Sequence, residues 1–199
     1  MPNLISRAIP RLTQRVNVLY RFGDALPQAP DLPPGLYWEH ATYELVDRVV
    51  DNTERRRVSL QALLAQGARG IIIHDGKQWA AHDFFSPPGI KLPHHLPGNV
   101  VRDAWWLFYM HTHPKWRRQG LQKACIKLKI RLIQELGGRV GETIIDVDAG
   151  NIVSHRAIVR TGFEPAGVLR TLELLLPKLG TFVLHAKWSR EEPHGGILL

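Results

Sequence analysis

The sequence predicts an α/β layer structure built on a mixed sheet. Three observations predict it. The second half runs strand, helix, strand, helix, strand; hairpin signals flank that run; and one long helical pattern, from Gly120 to Leu136, closes at Gly137-Gly138. A chain of 199 residues, 44% apolar and 22% charged, suffices for one compact domain, or one domain plus an extension. Such a composition excludes a wholly disordered or fibrous chain.

Residues 1–23 hold four arginines and no acidic residue. A short strand is expected within Val16 to Phe22, and the bland reading of the charge is a solvated arm. Pro27, Pro30, Pro33 and Pro34 then exclude a helix or central strand. The expected division is therefore a basic extension and linker over 1–34, a main domain over 35–190 and a loosely held tail over 191–199.

Within the main domain, Tyr43, Leu45, Val46, Val49 and Val50 recur at helical spacing, as do Val58, Leu60, Leu63 and Leu64 ahead of Gly67. Arg69 to His74 and Lys77 to Phe85 read as strands joined at Asp75-Gly76. Ser86 to Asn99 reads as a long loop, of a kind that often carries function. Ala104 to His113 is bulky throughout, which predicts a central strand buried on both faces and ended by Pro114. Strands over Glu142 to Val147, Phe163 to Leu176 and Thr181 to Trp188, and a short helix over Ile152 to Thr161, complete the reading.

Lysine and arginine total 26 against 18 acidic residues, a net charge of +8. That balance suits an anionic ligand without choosing among nucleic acid, a membrane surface and a phosphorylated small molecule. A lone cysteine, Cys125, excludes an internal disulfide framework and a cysteine zinc cage, and its place on an apolar helix stripe fits a buried, inert thiol. No stretch approaches the roughly 20 apolar residues of a membrane span, and the N-terminus lacks the apolar middle of a secretory signal. The expectation is a cytoplasmic protein without a membrane partner.

Chemistry concentrates between the aromatic strand and the long helix, at His113-Pro114-Lys115-Trp116-Arg117-Arg118-Gln119-Gly120-Leu121-Gln122-Lys123. A helix N-terminus exposes unsatisfied N–H groups and the positive end of its dipole, and the glycine lets a ligand approach the backbone. From Lys115 to Arg131 there are seven basic residues and no acidic one. The chain here resembles the GNAT superfamily of N-acetyltransferases, whose pyrophosphate loop reads [RQ]-x-x-G-x-[GA] between a strand and a helix. Arg117 and Gly120 match; Gln122 departs. Further on, Asp146-Val147-Asp148-Ala149-Gly150-Asn151, then Ser154 and Gly162-Phe163, is similar to the family's L-x-V-x-x-x-N-x-x-[AS] strand and helix ending in G-F.

The resemblance implies a mixed, mostly antiparallel sheet whose central parallel strands splay apart to hold acetyl-CoA, with helices flanking it. It implies that the pantetheine arm pairs with Met110, His111 and Thr112. The pyrophosphate would rest on Arg117, Arg118, Gln119, Gly120, Leu121, Gln122 and Lys123, with Asn151 and Ser154 approaching from the other side. Acetyl transfer to an amine needs a neutral amine, oxyanion stabilisation and a proton for the thiolate. Asp146, where some family members carry a catalytic glutamate, is the first choice of base; its bland reading is a pair with Arg156 or Arg160. Asp148 is second. The family's thiolate acid is a tyrosine at the position of Ile158, so Tyr109 and His111, with His113 on the same face, are the available donors. No metal site is expected, since His111, His113, His94 and His95 lack acidic or cysteine partners at ligand spacing.

The leading expectation is an acyltransferase moving an acetyl group from acetyl-CoA to the amine of a small molecule or amino sugar, in a ternary complex. Its partners are those two molecules rather than nucleic acid, with a homodimer left open. The alternatives are a catalytically lapsed GNAT-fold module binding nucleic acid or peptide, which Gln122 and Ile158 favour, and a protein or peptide N-acetyltransferase.

Overall fold

Eight strands form one sheet, in the order β2-β3-β4-β5-β6-β1-β7-β8, in a computed structural model that describes residues 10–23, 25–50, 54–90, 103–176 and 179–190. The strands are β1 (Arg11–Phe22), β2 (Tyr37–His40), β3 (Arg69–His74), β4 (Trp79–Ser86), β5 (Trp105–Thr112), β6 (Thr143–Asp148), β7 (Phe163–Leu176) and β8 (Gly180–Ser189). Neighbours are antiparallel except β5 and β6, which run parallel. The expected mixed, mostly antiparallel sheet with flanking helices is what the chain forms.

Helices cover both faces. They are α1 (Tyr43–Val49), α2 (Glu54–Ala65), α3 (Leu121–Glu135) and α4 (Ile152–Val159). Strand alternation sends Ile71 and Ile73 to one face, where they join Leu121, Cys125, Leu128 and Leu132 of α3 and Ile158 of α4. It sends Ile72 to the other, where Leu45, Val46 and Val49 of α1 and Leu60 of α2 pack with Trp79 and Phe84. Thr42 starts α1 by accepting from Leu45 N at 3.1 Å, so that its first turn is capped.

Two placements differ from expectation. Residues 10–23 do not lie in an extension: β1 begins at Arg11 and runs between β6 and β7, with Asn17 opposite both Asp148 and Leu169. Its first six residues are exposed, and only Val18, Leu19 and Tyr20 enter the core together. Polar residues therefore hide the strand, and its partners stand more than a hundred residues away. The tail over 191–199 and the loop beyond Ile90 lie outside the described residues.

The second difference is in β5. Trp106 and Leu107 are buried as expected, but Tyr109 is 42% exposed. Pairing with β6 covers only Trp105, Trp106 and Leu107. Beyond it, β4 pairs His82 with His111 and Phe84 with Phe108, so three steps of β5 oppose two of β4. Tyr109 takes up the extra residue at φ 56, a left-handed conformation typical of a bulge. The bend carries β5 away from β6, and so half of the aromatic strand lines an opening instead of being covered.

Candidate active site

Two neighbouring pockets lie here, a basic groove of about 770 Å³ and a gap of about 370 Å³ between β5 and β6, which share Met110 and Ser154 as walls. Beside β5, a short 3-10 turn over Pro114–Trp116 leads into the loop before α3. Arg118 sits at φ 65 and Gly120 at φ 76, where Gly120 is the N-cap of α3 and no side chain caps the helix. A Cβ at Gly120 would meet nothing within 4 Å. The first turn of α3 thus starts without a side-chain cap, beside open space at Gly120.

Five cations line this groove: Arg117, Arg118 and Lys123 from the loop and α3, and Arg156 and Arg160 from α4. None of its lining residues is acidic. Uncapped amides, the helix dipole and five positive side chains suit a diphosphate. Of the residues expected to hold the cofactor, Met110, His111, Thr112, Arg117, Arg118, Gly120, Leu121, Gln122, Lys123 and Ser154 line the groove. Gln119 is exposed and does not. Asn151 lines the adjoining gap, and its side chain accepts from Ser154 N at 3.2 Å as the N-cap of α4. Gln122 is half-buried in the groove wall. Arg156 and Arg160, the partners considered for Asp146, came without any signal as ligand contacts; only the fold of α4 across from α3 brings them here.

Asp146 lines the gap from β6. Its Oδ2 accepts from Asn17 Nδ2 at 2.6 Å and its Oδ1 from Trp106 Nε1 at 2.9 Å. Asn17 belongs to β1, so the strand hidden in the sequence orients the candidate base. Asp148, the second choice, accepts from Gly150 N at 2.9 Å and shapes the turn into α4. His155, one turn on, is buried and held between Tyr20 Oη at 2.7 Å and the Asp148 carbonyl at 3.0 Å.

Tyr109 and His111 do share a face, joined there by His82 of β4, whose ring stacks on both at centroid distances of 5.6 and 5.7 Å. Burial pushes the His82 imidazole down to about 3, with His111 and Arg56 adding to it. Burial, then Arg56 and Arg117, also lower His111. Both rings are thereby held toward the neutral form. His113 lies against Trp79, edge to face at 5.0 Å. Among the described residues no group of three or more His, Cys, Asp or Glu could hold a metal ion; His94 and His95 lie outside them.

No protein-family model matches the chain and no curated protein matches it. Solved structures do. A GCN5-related N-acetyltransferase-like protein from Streptococcus suis superposes with a TM-score of 0.53 at 17% identity, over 83% of this chain and 62% of its own. A GCN5-related N-acetyltransferase from Sphaerobacter thermophilus gives 0.51 at 18% identity, over 92% and 54%. AAC(6')-Iy, in complex with a bisubstrate analogue, CoA-S-monomethyl-acetylneamine, gives 0.50 at 14% identity, over 65% and 90%. The chain thus spans between half and two thirds of the length of the first two. The eight-stranded order, the single parallel pair and these superpositions agree: this chain has the fold of the GNAT N-acetyltransferases.

Proposed function

We propose that the chain is a CoA-dependent N-acyltransferase that moves an acetyl group from acetyl-CoA to the amine of a small molecule or amino sugar by direct attack in a ternary complex. One observation carries the reading. A groove whose charged walls are all cationic adjoins, across Met110 and Ser154, a gap that holds an oriented carboxylate.

The groove residues Arg117, Arg118, Lys123, Arg156 and Arg160 bind the phosphates, beside the uncapped first turn of α3. Backbone groups of Met110 to Thr112, freed from β6 by the bulge, pair with the extended arm. That leaves the thioester in the gap next to Asp146. An amine with a pKa near 10 is mostly protonated at neutral pH, so Asp146 removes its proton, directly or through one water. The nitrogen then attacks the thioester carbonyl, and donors at the splayed edge of β5 stabilise the oxyanion. Trp106 and Phe108, stacked at 4.6 Å, form an aromatic wall of the gap on the acceptor side.

Calorimetric titration of acetyl-CoA, with amide shifts followed by NMR, tests the binding step. Saturable heat and shifts concentrated in Arg117 to Lys123 are expected. Thiol release from acetyl-CoA is then measured against amines, polyamines, amino sugars and peptides. Absence of heat would overturn the reading, and binding without thiol release for any acceptor would leave a lapsed binding module in its place.

A further inference from the structure

Tyr109 stands where β5 leaves β6, and its backbone is unusual for its type: a bulky aromatic held at a left-handed φ of 56. Strict alternation along β5 would send its side chain to the face of Leu107, which packs into the layer under α3. The bulge turns it instead to the face of His82 and His111, and there it lines the gap together with Asp146. Backbone strain of this kind persists only where the surroundings impose it, and it gathers at active sites. The ring is flanked by His82, Phe84 and His111 at centroid distances of 5.6, 6.4 and 6.5 Å. Its hydroxyl has no hydrogen-bond partner among the described residues, and the residue is exposed. A fixed ring with an uncommitted hydroxyl adds little to stability and suits proton transfer.

Resting on the acyltransferase reading, we propose that the β5 bulge exists to present Tyr109 as the catalytic residue that protonates the departing CoA sulfur. The sulfur leaves inside a gap that already holds the Asp146 carboxylate, so a bare thiolate is costly there. As the C–S bond breaks, its electron pair goes to sulfur; the Tyr109 O–H bond breaks and an S–H bond forms. The acceptor ammonium gives up two protons in all. The first leaves through Asp146 to solvent, and the second, from the nitrogen of the tetrahedral adduct, returns through water to the Tyr109 oxygen. Ile158 lines the same gap as an alkane and has no proton to give. His111 lines the groove and not the gap, and burial, Arg56 and Arg117 hold its ring toward the neutral form. A neutral imidazole is a base, whereas a neutral phenol is an acid. The charged and titratable groups facing Tyr109 are His82 on β4, His111 on β5, Arg56 of α2 acting on both imidazoles, and Asp146, Asp148 and Arg15 around the gap.

The experiment compares the full chain with Tyr109→Phe and with the chain carrying 3-fluorotyrosine in place of Tyr109, which keeps the shape and the hydroxyl but makes the phenol more acidic. Melting temperature, acetyl-CoA affinity and the pH profile of thiol release in a single turnover are read for each, so that product release cannot mask the chemical step. Tyr109→Phe is expected to melt with the parent, to bind acetyl-CoA with parent affinity, and to release thiol about 10²-fold more slowly, the lower end for a lost general acid. In the fluorinated protein the alkaline fall in thiol release is expected to move to lower pH, a shift that a purely structural tyrosine would not produce. A parent-like rate in a folded, acetyl-CoA-binding Tyr109→Phe, or an alkaline limb that fluorine leaves in place, would overturn the donor and keep the acyltransferase reading. Should Tyr109→Phe fail to fold, the fluorinated protein decides alone. A parent that neither binds nor cleaves acetyl-CoA would overturn that reading, and the donor with it.

Discussion

Asp146 accepts two hydrogen bonds that fix its plane, one from β1 and one from β5, so its orientation depends on residues far apart in the chain. Removing its charge while keeping its shape tests the base. Asp146→Asn should lower turnover by about 10²- to 10⁴-fold with acetyl-CoA affinity nearly unchanged, because the groove cations are untouched. Steady-state kinetics beside calorimetry checks this, and unchanged turnover removes Asp146 from the mechanism. His82 tests a different property. Its folded pKa is depressed to about 3, so the unfolded chain takes up a proton near the ordinary 6.5 that the folded one refuses. Its contribution to stability is thus present above 6.5 and is lost as pH falls toward 3. Asp83 has the opposite sign: its carboxyl is raised from 3.8 to about 6, so its contribution is present below 3.8 and lost as pH rises through 6. The two oppose each other between those values, so only a variant isolates the histidine. His82→Phe should flatten the acid side of the stability curve by up to about 1.4 kcal/mol per pH unit, read from denaturant melts between pH 6.5 and 4.5; an unchanged slope would show that the imidazole titrates normally.

Among the elements, α3 was legible because its apolar spacing, its glycine start and its Gly137-Gly138 stop all agree, and the first turn of that helix is where the groove lies. The bulge in β5 and the sheet position of β1 were not. A bulge is one residue in a left-handed conformation, here a tyrosine, and nothing in a run of aromatics marks which residue takes it. Strand β1 presents Arg11, Gln14, Arg15 and Asn17, which read as a solvated arm until pairing with β6 and β7 is known. So Asp146 could be named from sequence, but Asn17 beside it could not. Gly120 joins these scales. At φ 76 with open space around it, an added methyl meets no protein atom but forces a strained backbone costing about 1–2 kcal/mol. Gly120→Ala should therefore lower the melting temperature by a few degrees and weaken acetyl-CoA binding about tenfold, whereas equal loss of stability with full affinity would place the phosphates elsewhere.

For the whole molecule, the question raised by a net charge of +8 is which anion it serves. Charge is not spread evenly: five cations converge on one groove closed by α3 and α4, and Asp146 and Asp148 stand at the adjoining gap. A recessed site of this size holds few phosphates, whereas a duplex would need cations aligned over an extended face. Affinity measured against salt distinguishes the two. A ligand bound by a few charges in a partly enclosed groove should lose only several-fold between 50 and 200 mM salt, while a protein contacting six or more DNA phosphates loses about 10³- to 10⁵-fold over that range. The expected outcome is a shallow slope for acetyl-CoA and no competition from duplex or single-stranded DNA at the same ionic strength. A steep slope with DNA, together with displacement of acetyl-CoA by it, would instead make the cations around α3 a nucleic-acid surface, with the gap behind them left over from an ancestral catalyst.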